Sequence, residues 1–401
     1  MEIEPDLAKK LLATGAMLLF LDAPLDTTFG IDLNEWQTGP RFKGLKLIPP
    51  GFHFVFYSAK NSTGESGLRT GFFKFFDSKE IYVTQWDAVN EDIREQSELD
   101  PDHVHRLRYN ILEFEPSLGA YPLIPHPQQP LPTYQKWLRL SSFISRQLVD
   151  SLIPSHSKKV SSLVSVSHFS DLDNTILKEA AKGMQQSQDV SMVEAPSASR
   201  TTDGEQQLAA FNIKFTPIDL KRSYPPNATP DQITKYWLDK SYLLTSVLAS
   251  LYKGDYRLLL GEIQFSFILF LVGQVYDGLE QWKCLVQMVC GAREAIKQLG
   301  SSLFLDFIDV LHSQLAECPE DFFVDALSSS NFLRSAILLL VSNIRDPDTV
   351  DRLPNPQLET KINKFVKLVS ERFSWDVEEA VQEKWLAQDT EEGEFAPQVC
   401  E

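Results

Sequence analysis

The chain has 401 residues, 43% of them hydrophobic and 23% charged, enough length and apolar material for two or three folded domains. Its formal net charge of −17, with no basic stretch denser than Arg41, Lys43 and Lys46, excludes a phosphate-neutralising grip on nucleic acid or on an anionic membrane and favours a protein partner with basic surface. Four cysteines, Cys284, Cys290, Cys318 and Cys400, make no disulfide framework and fit a reducing compartment, and acids at Glu2, Glu4 and Asp6 stand where a signal peptide would be positive.

The first half reads as β-rich. Pro5 to Ala13 has Leu7, Leu11 and Leu12 on one face and Gly15 as a stop, which predicts a short helix. Ala16 to Leu21 predicts a buried strand ended by Asp22-Ala23-Pro24. Pro49-Pro50-Gly51 predicts a turn with positive φ at the glycine, launching the aromatic strand Phe52 to Tyr57. Strands over Gly71 to Phe76 and Ile81 to Trp86, joined by the hairpin-length Asp77-Ser78-Lys79, complete an expected antiparallel meander. Gly71 to Phe76 places Phe73 and Phe75 on one face and Phe72 and Phe76 on the other, so both faces need cover, from within the chain or from a partner. Asp100-Pro101 starts a helix through about Phe114, with Val104, Leu107 and Ile111 at helical spacing. Thr133 starts another, with Trp137, Leu140, Ile144 and Leu148 on one stripe, after the proline-rich connector Tyr121 to Pro132.

From Ser155 to Gln206 the chain becomes rich in Ser, Gln and Asp, which predicts a flexible linker with one apolar patch, Leu163 to Phe169, able to dock as a strand. Phe211, Ile213 and Phe215 alternate with polar residues and predict a strand beyond the linker; they are the candidate partner-contact region. Thr229-Pro230-Asp231 is a helix start, and helices are expected over 230–252, 256–272, 275–291, 301–316, 320–342 and 357–373, joined by short connections. The apolar run from Ile263 to Tyr276 is shorter than the ~18 residues that a membrane span needs. Trp237 and Trp282 are expected in the helical core. The expected domains are therefore 1–154, β-rich; 155–206, linker; 207–375, helical; and 376–401, an acidic tail.

Chemistry is sparse. The sequence has no phosphate loop, no Gly-x-Gly-x-x-Gly, no His-Glu-x-x-His and no Gly-x-Ser-x-Gly. Asp100, Asp102, His103 and His105 cluster at one helix start, but positions 103 and 105 face different sides of a helix and cannot converge on one ion. Cys284 and Cys290, six apart among apolar residues, read as buried structural thiols. His53 points away from Phe52 and Phe54 and reads as solvent-facing or hydrogen-bonded. The residues nominate no catalytic, metal or cofactor site.

Several blocks in order resemble the A1-alpha-2-repression splicing factor family. They are Phe29-Gly30-Ile31-Asp32, Trp36, Gly39 to Gly44, Ile48 to Phe54, Gly261 to Phe267, Leu271 to Tyr276, Trp282-Lys283 and Asp321 to Asp325. The resemblance implies a sandwich-like N-terminal domain with flanking helices and a C-terminal helical stack similar to VHS domains. It further implies a non-catalytic assembly factor of the U5 small nuclear ribonucleoprotein, a monomer found in cytoplasm and nucleus that joins a heteromeric complex. Such a factor binds the large U5 scaffold protein through RNase H-like and MPN-like domains and keeps the helicase off until phosphorylation releases it. In the linker, Ser170 precedes Asp171 and Asp173 in the arrangement that acid-directed kinases favour, and is the candidate phosphorylation site. The alternative reading is a trafficking adaptor, which usually carries a basic lipid-binding surface that this chain lacks.

Overall fold

Ala16–Leu21 is apolar at every position because both of its faces are covered. It is β1 of a computed structural model that describes residues 13–60, 67–123, 131–153, 158–162, 213–299, 301–319, 332–346 and 355–382. Leu18 and Phe20 face one apolar core, while Leu19 and Leu21 face another.

The remaining strands are β2 (Thr28–Ile31), β3 (Asn34–Gln37), β4 (Gly44–Ile48), β5 (Gly51–Ser58), β6 (Thr70–Phe76), β7 (Ile81–Asp87), β8 (Asp92–Arg94), β9 (Leu118–Ala120) and β10 (Lys159–Ser161). They form two five-stranded sheets, ordered β8-β7-β1-β4-β9 and β10-β6-β5-β2-β3. The shared core draws Phe20, Leu45 and Trp86 from the first sheet and Phe29, Val55, Tyr57 and Phe72 from the second. Beneath the first sheet, Leu19, Leu21 and Val83 meet Val104 of α1 (Pro101–Tyr109). On the outer side of the second, Trp137 of α3 (Thr133–Ser141) stacks on Phe52 at 5.8 Å and donates its indole N–H to the Phe52 carbonyl at 2.7 Å. Phe73 stacks on the same Phe52 ring, so the two faces of β6 are covered from within the chain. Two glycines permit close approaches. Gly44 takes φ +135 against the Leu18 carbonyl, and Gly30 lies under the Phe56 ring, where a β-carbon would overlap it.

The expected hairpin of β6 and β7 does not form. β6 pairs with β5 and β10, whereas β7 crosses to the other sheet and runs parallel to β1. Lys79 takes φ +61 and donates to the Thr14 carbonyl, and Met17 donates to Glu80, so the turn is captured by the start of β1. Strands apolar on both faces can be central in either sheet, and local spacing does not choose between them. β10 is a second correction, a strand inside the stretch expected to be linker; Lys159 donates to the Asp92 carboxylate at 3.1 Å and to the Ile93 carbonyl at 2.6 Å.

Two expected helices are each broken in two. α1 gives way at Asn110 to α2 (Ile111–Phe114). α3 stops before Ser145, whose hydroxyl caps α4 (Arg146–Leu152) by accepting from the Leu148 amide. The helical half consists of α5 (Pro230–Leu238), α6 (Ser241–Ser250), α7 (Tyr256–Leu271), α8 (Tyr276–Cys290), α9 (Arg293–Gln298), α10 (Ser301–Glu317), α11 (Phe332–Arg345) and α12 (Pro356–Phe373). The single helix expected over 230–252 is divided because the Asp239 carboxylate accepts from both the amide and the hydroxyl of Ser241. α9 was not anticipated. Residues 377–382, assigned to the tail, are helical, with Val377 and Val381 buried.

The chain divides into two compact units. One takes the described residues of Met1–His168, Val193–Phe215 and Ile268–Gly278; the other takes those of Thr216–Phe267 and Leu279–Glu401. The first is the β-rich sandwich with its flanking helices, and the second is a helical stack in which α10 lies along α12 and α9 touches α6 and α11.

Candidate functional site

Of the nominated residues, Ser170 and Phe211 lie outside the described residues, as do all but the last residue of the expected Pro5 to Ala13 helix, the patch Leu163 to Phe169 and the block Asp321 to Asp325. Ile213 and Phe215 are half-buried, but residues 213–219 form no strand. The alternation there comes from an irregular extended segment in which Lys214 donates to the Leu152 carbonyl.

What the structure brings together is two buried polar clasps. In the sandwich, Asp32 follows β2 with φ +56 and is fully buried. Its Oδ2 accepts from His53 Nδ1 at 2.7 Å and from the Tyr121 hydroxyl at 2.6 Å, and its Oδ1 accepts from the Phe54 amide at 3.0 Å. His53 Nε2 faces the Pro49 carbonyl at 2.7 Å. Both ring nitrogens thus meet oxygen atoms, which fixes the orientation of the imidazole ring. Burial, and then the Asp32 charge, push the Tyr121 hydroxyl well above the ordinary tyrosine range. His53 is 1% exposed, so the hydrogen-bonded reading of this histidine holds and the solvent-facing one does not. Two of the motif blocks, Phe29 to Asp32 and Ile48 to Phe54, meet at this point.

In the helical unit, Glu262 of α7 is fully buried. Its Oε1 accepts from the Thr216 amide and from Gln281 Nε2, both at 2.9 Å, and its Oε2 accepts from the Thr216 hydroxyl at 2.7 Å and from the Tyr252 hydroxyl at 2.8 Å. All four donors are neutral. Gln281 also donates to the Thr216 carbonyl at 2.9 Å. Nearby in the same unit, the Trp282 indole donates to Gln314 Oε1 at 2.9 Å, with Phe267 against its ring.

A third cluster joins the edges of the two sheets. Tyr57 donates to Asp92, Lys159 bonds the same carboxylate, and Glu95 lies buried beside them with Oε1 lacking a hydrogen bond. Burial, offset in part by the Lys159 charge, pushes the Glu95 carboxyl up to about 7.

The Asp32 and Glu262 clasps hold the fold, their carboxylate oxygens taken up by partners within the chain. Burial pushes the Cys284 thiol up to about 11 and the Cys318 thiol up to about 12, away from reactive thiolate. Cys290 and Cys318 are buried and Cys284 is half-buried. Among the described residues no three His, Cys, Asp or Glu side chains gather as a metal site, and no helix is long and apolar enough to cross a membrane.

Trp237 corrects the core expectation. It is 53% exposed on α5, a helix with no buried side chain, with the Lys240 ammonium 4.9 Å above its ring, whereas Trp282 is fully buried. Trp237 and Leu238 on α5, and Tyr109 and Leu112 at the α1–α2 break, are large apolar side chains left at the surface. Sequence reasoning missed the Asp32 and Glu262 clasps; the available signal was an acid inside each apolar motif block.

The fold and its polar centres define a class: a protein of one β-sandwich unit and one helical stack, braced internally by buried carboxylates. Family models match both parts, the AAR2 N-terminal domain over residues 14–154 and the AAR2 C-terminal repeat region over residues 215–378. The mouse Protein AAR2 homolog is 33% identical over 382 residues, covering 94% of each chain. The Caenorhabditis elegans Protein AAR2 homolog is 32% identical over 383 residues, 93% of this chain and 98% of that one. The Saccharomyces cerevisiae A1 cistron-splicing factor AAR2 is 24% identical over 312 residues, 76% of this chain and 77% of that one. The chain belongs to the AAR2 family, as the motif blocks implied.

Proposed function

We propose that this protein is a non-catalytic assembly factor of the U5 small nuclear ribonucleoprotein in pre-mRNA splicing. It binds the large U5 scaffold protein through that protein's RNase H-like and MPN-like domains, and it delays helicase binding until phosphorylation releases it. It acts as a monomer within a heteromeric complex, in cytoplasm and nucleus, without cofactor and without direct contact to nucleic acid or membrane. The observation that carries the reading is identity near one third along 94% of both chains with the mouse AAR2 homolog, together with a yeast relative named as a splicing factor. The charge of −17 supports protein over RNA as the binding surface. Two folded units can engage two partner domains at once, which raises avidity without new contacts. Ile213 and Phe215, with Phe211 before them, remain the proposed contact region, and Ser170 the proposed release trigger.

Affinity purification of the chain from nuclear extract, with nuclease present, tests the reading. The large U5 scaffold should co-purify and the helicase should be depleted from the same fraction. Recovery of vesicle-coat components in place of U5 proteins would favour the trafficking adaptor.

A further inference from the structure

Three members of the Glu262 clasp, Glu262, Tyr252 and Gln281, come from the helical stack or the turn between α6 and α7. The fourth, Thr216, comes from a segment without regular structure. Lys214, Pro217 and Asp219 are exposed along it, while Ile213, Phe215, Thr216 and Ile218 are half-buried. Thr216 is followed by Pro217, which biases the preceding residue toward extended backbone. Extended chain with proline after the hydroxyl is the substrate form that proline-directed protein kinases grip. Thr216 is also secured at three points, since its amide and hydroxyl donate to Glu262 and its carbonyl accepts from Gln281.

We infer that Thr216 is a phosphate-acceptor site for a proline-directed protein kinase, and that its phosphate unlocks the 213–222 segment by breaking the Glu262 clasp. In the transfer, Oγ1 forms a bond to the γ-phosphorus of ATP, the bridging P–O bond to ADP breaks, and the hydroxyl proton passes to the kinase. Oγ1 then has no hydrogen to donate to Glu262 Oε2. In place of a 2.7 Å donor bond, a group of charge about −1.5 to −2 would face a buried carboxylate. Every other donor in the clasp is neutral, so none of them offsets the new charge. The modified residue cannot reoccupy its seat. The amide and carbonyl of Thr216 exchange their protein partners for water, and the segment acquires an open state.

A second Thr-Pro pair in the chain, Thr229-Pro230, supplies an internal control. Thr229 is exposed and caps α5, its hydroxyl accepting from the Gln232 amide. A phosphate there meets the positive end of a helix, so the same modification should leave α5 intact.

The test uses the full chain with a purified proline-directed kinase and ATP, phosphosite mapping by mass spectrometry, and amide hydrogen exchange. Phosphate is expected at Thr216, with the amides of 213–222 exchanging at least about tenfold faster once it is attached. Thr229→Ala should leave that change in place, and Thr216→Val should abolish it. If Thr229 is modified to completion while Thr216 stays bare, Thr216 is not an acceptor. If Thr216 carries phosphate and exchange over 213–222 is unchanged, the unlocking is wrong. Neither readout involves the U5 scaffold, so the result stands apart from the proposed assembly function.

Discussion

The two clasps solve one problem, a carboxylate with no access to water, in different ways. Asp32 is held by a histidine, a tyrosine and a backbone amide, and His53 and Tyr121 are themselves at most 2% exposed. Glu262 relies on neutral donors alone, and two of its four bonds come from a half-buried residue on an irregular segment. A fully sealed centre braces the sandwich. An open-sided centre held by hydroxyl and amide dipoles can be undone by changing one side chain.

The largest effects should come from core removal. Trp282→Ala deletes a fully buried indole and leaves Gln314 without its donor, a cost of about 3–5 kcal/mol in the helical unit, read by chemical denaturation. Asp32→Ala should cost a similar amount, about 3–5 kcal/mol, because the His53 ring, the Tyr121 hydroxyl and the Phe54 amide all lose their shared buried partner at once. Glu262→Ala should cost less, about 1–3 kcal/mol, since Thr216, the half-buried source of two of its four bonds, can turn to water. Equal costs for Asp32→Ala and Glu262→Ala would erase the distinction between the clasps.

The third cluster predicts a pH dependence of the sandwich unit. Glu95 titrates at about 7 when folded, against 4.5 for the ordinary carboxyl. A carboxyl with a raised folded pKa favours folding below pH 4.5, and that contribution is lost as pH rises through 7. Stability carried by this group should fall by about 1–3 kcal/mol across that window and level off above it. Glu95→Gln should flatten the profile and be the more stable protein at pH 8. The smallest effect belongs to Trp237→Ala, within about 0.5 kcal/mol of wild type, because its ring is already half in water. A loss as large as that of Trp282→Ala would put Trp237 in the core after all.

The elements that local pattern determines were legible. β1 announces itself as an unbroken apolar run and β5 as an aromatic one interrupted by His53, and α7, α8, α10 and α12 begin and end within a residue or two of where periodicity places them. The misses are nonlocal. Whether β7 pairs with β6 or with β1 depends on a partner more than 60 residues away in sequence, as the register Met17↔Ile81 shows. The Asp32–Tyr121 bond spans 89 residues and Thr216–Glu262 spans 46, distances over which residue spacing carries no signal. Trp237 was misplaced because one long helix over 230–252 would have shared a single buried face, and the Asp239 break turns its first part outward.

The proposed assembly function rests on the choice of a protein surface over RNA, and one binding experiment addresses it most directly. The purified chain is titrated with the purified RNase H-like domain of the large U5 scaffold and, separately, with naked U5 RNA, each across a range of salt. Specific binding to the domain that survives nuclease, with no measurable binding to the RNA, is the expected result. Tight, steeply salt-dependent binding to the naked RNA with none to the domain would contradict the account.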